Sequence, residues 1–150
     1  MIRVAQFTIM INKKDIVLVG SSMGGFIANG IFARQSKILG LANINGSGSF
    51  VLSERLFRKK DDLGDLPLAY LEVLREYDPV DRTNFKSPVL MLHGDSDTVI
   101  AIEGQQDYYR HLKEVEKRSN VELKIYKNVN HQFTPEMVSD LKAWLGLLPY

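Results

Sequence analysis

Apolar residues fall into short runs separated by polar, glycine-containing stretches. Residues 16–19 (Ile-Val-Leu-Val), 38–44 and 88–93 (Pro-Val-Leu-Met-Leu-His) are nearly continuous apolar runs of strand length, the pattern of buried strands. Residues 121–126 (Val-Glu-Leu-Lys-Ile-Tyr) alternate and predict a further strand. The segments between them predict helices over 24–36, 103–118 and 135–146. Residues 50–80 depart from this alternation. Phe50, Leu52, Leu56 and Phe57 recur at near-helical spacing, Leu68, Leu71, Leu74 and Tyr77 repeat the pattern, and Asp78-Pro79 stops the second run. Strands alternating with helices predict an α/β fold with a mostly parallel sheet flanked by helices. A chain of 150 residues fits a single domain, 1–150, with an insert at about 50–80.

The first apolar run leads directly into Gly20-Ser21-Ser22-Met23-Gly24, which fits G-x-S-x-G. A strand, a sharp turn and a helix would lift the Ser22 hydroxyl clear of the sheet. Gly20 and Gly24 are expected to make room for the turn and for close helix–strand packing. An acid and then a histidine should follow in chain order. The run 88–93 enters Gly94-Asp95-Ser96-Asp97-Thr98-Val99-Ile100, and the strand 121–126 enters Lys127-Asn128-Val129-Asn130-His131-Gln132-Phe133. Both loops follow the C-terminal ends of predicted strands, where open α/β sheets place their chemistry. The loop Asn45-Gly46-Ser47-Gly48-Ser49 lies at the same edge.

The G-S-S-M-G-G, H-G-D-S-D-T-V-I and N-H-Q-F blocks together resemble the α/β-hydrolases, in the branch of bacterial esterases and prolyl-oligopeptidase-like hydrolases. The resemblance runs from about Asp15 to the C-terminus. It implies Ser22 as nucleophile, Asp97 as acid and His131 as general base, with the Met23 N–H as the first oxyanion donor. The family often carries proline where Ala101 stands here. It also forms a small helical cap from an insert like 50–80, which implies an acyl or alkyl pocket lined by Phe50, Leu56, Phe57 and Tyr70. The implied reaction is cleavage of small or medium carboxylic esters through an acyl-serine, with no metal and no cofactor.

Other residues compete for these roles. Asp95 reads as a loop-capping residue, because the family pattern sets the acid at Asp97. His93 closes a buried strand and reads as a satisfied structural histidine. His111, inside the 103–118 helix pattern, reads as solvated. His93, Asp95 and Asp97 alternate on one loop, a weak ligand pattern with nothing nearby to complete a metal set.

Hydrolases of this family place several strands ahead of the elbow, whereas only residues 1–21 precede Ser22 here. The chain therefore reads as the C-terminal portion of an α/β-hydrolase, without a loop for the second oxyanion donor. The strand 16–19 would then be an open edge, inviting a homodimer or aggregation. The contrasting expectation is an inactive hydrolase fragment that self-associates. Met1–Ile11 fits either a strand covering that edge or the end of a preceding helix. It makes a poor signal peptide.

Composition adds exclusions. Lys and Arg number 19 against 18 Asp and Glu, a net charge of +1, which offers no electrostatic case for nucleic acid or membranes. The Arg55/Arg58/Lys59/Lys60 cluster, followed by Asp61 and Asp62, reads as a solvated face. There is no cysteine, hence no disulfide framework. A cytoplasmic location is the default expectation, with a small-molecule ester as the partner. No propeller or other substrate-selecting domain is encoded, which favours esters over peptides.

Overall fold

Four parallel strands form one sheet in their sequence order: β1 (Val17–Ser21), β2 (Gly40–Ile44), β3 (Val89–Gly94) and β4 (Val121–Tyr126). The structure is a computed structural model that describes residues 16–82 and 86–149. The expectations for Met1–Ile11 lie outside those residues. Register pairs Val17 with Gly40, Leu41 with Val89, and Val89 with Val121.

Helix α1 (Met23–Phe32) joins β1 to β2. Helices α2 (Phe50–Lys60) and α3 (Leu68–Tyr77) stand between β2 and β3. Helix α4 (Glu103–Arg110) continues into a π-helical turn, His111–Val115, before β4. Helix α5 (Pro135–Leu145) follows β4, and the Thr134 side chain caps it by accepting from the Met137 N–H at 3.2 Å.

The period of two along the strands splits the core into two layers. Leu41, Val89 and Met91 pack with Phe32 of α1 and with Tyr108 and Leu112 of the α4 segment. Ala42, Ile44, Leu90 and Leu92 face the other way, onto Met137, Leu141 and Trp144 of α5. Residues of β2 and β3 are buried throughout, which explains why they read as unbroken apolar runs.

Two helix ends differ from expectation. α1 stops at Phe32 rather than residue 36. There the Arg34 guanidinium stacks 4.0 Å over the Tyr77 ring and donates to the Glu76 carbonyl, binding the chain to α3. The helix predicted over 103–118 loosens into the π-helical turn and ends at Val115. His111 within it is half-buried, its Nε2 3.4 Å from Glu116 Oε1, and so is not simply solvated.

The amphipathic helices α2 and α3 contain no fully buried residue. Their apolar faces border open space, not a packed core. Asp78 anchors them: its carboxylate, 1% exposed, accepts from the Phe50 and Val51 N–H groups at 2.9 Å and so caps the start of α2.

Candidate active site

The turn after β1 is tight because two glycines permit it. A Cβ on Gly20 would lie 2.1 Å from the Gly24 carbonyl oxygen, and one on Gly25 would lie 2.4 Å from Asn43 Oδ1. Gly24 itself has open space where a Cβ would stand. The steric need assigned to Gly24 therefore belongs to Gly25, because it is Gly24's backbone, not its missing side chain, that makes the close approach.

Ser22 takes φ 56° and ψ −124°, a left-handed conformation uncommon for a residue with a Cβ. Serine is a good N-cap by type, yet its side chain makes no capping bond to α1. Its Oγ lies 2.8 Å from His131 Nε2 instead. Strain and a forgone cap at one residue are characteristic of functional sites.

His131 occupies the loop after β4. Its Nδ1 is 2.8 Å from Asp97 Oδ2, so Ser22, His131 and Asp97 form one continuous hydrogen-bonded line. The Asp97 side chain is fully buried and that of His131 is 22% exposed. Asp97 Oδ1 accepts from the Val99 and Ile100 N–H groups, each at 2.9 Å. Nδ1–H of His131 donates to the carboxylate, leaving Nε2 to accept the Ser22 proton. Asp95 plays the loop-capping part read for it, accepting from the Asn128 N–H and the Ser96 hydroxyl.

Neighbouring side chains hold the loops in place. Asn130 Oδ1 accepts from the Thr98 N–H, the Thr98 hydroxyl and the His131 N–H, tying the acid loop to the histidine loop. Asn45, at φ 48°, donates to the Gln132 carbonyl and accepts from the Gly94 N–H. His93 is fully buried, with Nε2 3.0 Å from the Ile100 carbonyl and 3.3 Å from Asp97 Oδ2. Its Nδ1 has no hydrogen-bond partner, so it is less than a fully satisfied structural histidine. No cluster of three or more potential metal ligands occurs among the described residues.

Beside Met23 and Asp97 lies a half-open cavity of ≈ 510 Å³ bordered by α1, α2, α3 and the loop 97–101. Phe50, Leu56, Phe57 and Tyr70 all line it. The basic cluster is not merely a solvated face. Lys60 also lines the cavity and donates to the Thr98 carbonyl, while Arg58 pairs with Glu54 and donates to the Leu63 and Gly64 carbonyls.

The pattern of the prolyl oligopeptidase family matches residues 3–145. The chain belongs to the prolyl oligopeptidase family. No curated protein matches it. Among solved structures, this family member is similar to esterase PE8, with TM-score 0.65 and 20% identity over 93% of this chain and 53% of that one. It is similar to the Pyrococcus horikoshii acylaminoacyl peptidase, with TM-score 0.70 and 23% identity over 89% of this chain and 23% of that one. The Pyrococcus furiosus esterase Pf2001 matches with TM-score 0.60 and 22% identity, over 89% and 53%. The fold is that of an α/β-hydrolase, and the family is one of hydrolases. The chain spans about half the length of the esterases and under a quarter of the peptidase. No helix among the described residues is long and apolar enough to cross a membrane.

Sequence reasoning did not find Asn45, Asn130 or Lys60 as site residues, nor the contact between His93 and Asp97. The i, i+4 spacing of His93 and Asp97 was the available signal, but across a strand end it does not have the meaning it has on a helix.

Proposed function

We propose that this protein is a serine hydrolase that cleaves carboxylic esters through an acyl-serine. The observation that carries this reading is the line Ser22 Oγ–His131 Nε2–His131 Nδ1–Asp97 Oδ2, with both hydrogen bonds at 2.8 Å. Ser22 Oγ attacks the ester carbonyl carbon while His131 Nε2 takes its proton. Asp97 holds the tautomer and stabilises the imidazolium. The Met23 N–H stands at the first position of α1, where backbone donors lack helical partners, and supplies one oxyanion donor. Collapse of the tetrahedral adduct breaks the C–O bond, and His131 returns the proton to the departing alcohol. Water then attacks the acyl-serine by the same route and releases the acid.

The apolar cavity beside Asp97 supports an acyl chain of small to medium length as the substrate group. Phe50, Leu56, Phe57 and Tyr70 would contact that chain. Thioesters and activated amides are open to the same chemistry, and ordinary amides are harder because amines leave less readily than alkoxides.

Hydrolysis of a short-chain aryl ester tests the reading. Ser22→Ala and His131→Ala are each expected to lower kcat by at least about 10³-fold, with melting temperatures close to the parent's. Equal rates in parent and variants would overturn it.

The observation favouring a second reading, self-association, is the edge position of β1 in the described sheet, with Val19 48% and Ile27 59% exposed nearby. On that reading a second copy of the chain covers the edge.

A further inference from the structure

The proposed reaction leaves one buried imidazole without a part. His93, in β3, is fully buried, and its neighbour across β4 is the uncharged Ile125. Its Nε2 lies within reach of two acceptors, the Ile100 carbonyl at 3.0 Å and Asp97 Oδ2 at 3.3 Å. Neither can donate, so Nε2 carries the ring proton. Protonating Nδ1 as well would bury a donor with no partner. Burial also pushes the imidazole's pKa below its ordinary value; the bond to the Ile100 carbonyl and the charges of Asp97 and Glu103 oppose that, and His131 adds to it. The ring is therefore the neutral Nε2–H tautomer.

Asp97 is held by three donors. Val99 and Ile100 N–H groups bind Oδ1, and His131 Nδ1 binds Oδ2. The His93 Nε2 proton goes to the Ile100 carbonyl that ends the Asp97–Ile100 turn, with Asp97 Oδ2 a close electrostatic neighbour 3.3 Å from the same nitrogen. A cation 3.3 Å from Oδ2 would compete with His131 for the carboxylate's charge, whereas a neutral ring leaves that charge to His131.

We propose that His93 is a positioning residue, whose Nε2–H holds the Ile100 carbonyl and so fixes the Asp97–Ile100 turn, whose N–H groups keep the carboxylate aimed at His131 Nδ1. This rests on the reading of Ser22, His131 and Asp97 as the reacting array. Replacing a triad acid by its amide costs about 10⁴-fold in kcat in a well-studied serine protease. Loosening the acid without removing it should cost part of that.

The test compares the parent with His93→Leu, which deletes the donor, and His93→Gln, whose amide nitrogen is the same number of bonds from Cβ. The readouts are the low-field proton resonance of His131 Nδ1–H, kcat and KM for a short aryl ester, and the urea midpoint. The parent and His93→Gln should show the resonance. In folded His93→Leu it should broaden or vanish, and kcat should fall about 10–100-fold with KM little changed. If His93→Leu does not fold, His93→Asn, whose amide is one bond shorter, is expected to lose the resonance in its place. A folded variant lacking the donor that keeps both resonance and kcat would overturn the proposal, as would a parent without the resonance. A parent that shows the resonance but no turnover, with the resonance lost in His93→Leu, sinks the hydrolase reading and leaves the positioning role standing.

Discussion

At the scale of single residues, the turn around Ser22 puts function ahead of local preference. Serine before a helix ordinarily caps it, but here Oγ is 2.8 Å from a histidine more than a hundred positions away, and the backbone is bent to φ 56° to reach it. The glycines around it are not equivalent. Gly20→Ala would press a Cβ against the Gly24 carbonyl, so it should destabilise by about 1–3 kcal/mol and disturb Ser22. Gly24→Ala meets nothing, lies inside α1 and should be neutral or stabilising by up to about 1 kcal/mol. Urea unfolding of the two variants checks the contrast, and equal losses would contradict the steric account.

At the scale of elements, α2 depends on a residue distant in sequence. No side chain at its own N-terminus caps it, and Asp78 does so from beyond the end of α3. Asp78→Ala should therefore cost about 1–2 kcal/mol in unfolding free energy. It should also raise KM for an ester substrate, because Phe50 and Leu56 of α2 line the cavity. An unchanged KM would separate α2 from substrate binding. On the opposite face, α5 is fastened to β4 through Asp140, which accepts from Tyr126 Oη at 2.6 Å and Lys124 Nζ at 3.0 Å. The Tyr126 and Lys124 hydrogen bonds hold the Asp140 carboxyl below its ordinary value. A depressed carboxylate binds protons more weakly when folded. Its stabilisation is thus present above the ordinary carboxylate range and lost as pH falls through the depressed value. Asp140→Asn should flatten that acid-side loss in a thermal-melt series across pH. An unaltered slope would show that Asp140 does not contribute to it.

At the scale of the whole molecule, the four-stranded sheet of the described residues has β1 at one edge. Val19, Met23, Ile27 and Ile31 are exposed on or beside it. An edge strand with exposed apolar side chains beside it favours association with another chain. Sedimentation equilibrium is expected to report a concentration-dependent dimer, weakened by Val19→Lys. A monomer at every concentration would exclude pairing through β1.

Local order along the chain determined most of the elements. The period-two run 121–126 coincides with β4, and the predicted helix 135–146 differs from α5 by one residue. Side-chain alternation and helical spacing of apolar positions are signals contained in a few adjacent residues, and such signals are legible before folding. Ser22, Asp97 and His131 were singled out by the G-x-S-x-G motif and the family resemblance, which preferred Asp97 to Asp95; their meeting at one edge follows because each ends a strand–loop unit of a parallel sheet. Tertiary structure alone decided the rest. The bond of His93 to the Ile100 carbonyl, the cap of Asp78 on α2, the link of Asn130 to Thr98 and the cavity between α2, α3 and the acid loop each depend on distances fixed by strand register and helix packing. A hydrogen bond requires its partners within about 3.5 Å, and no pattern of neighbours in sequence specifies which distant groups the folded backbone will bring that close.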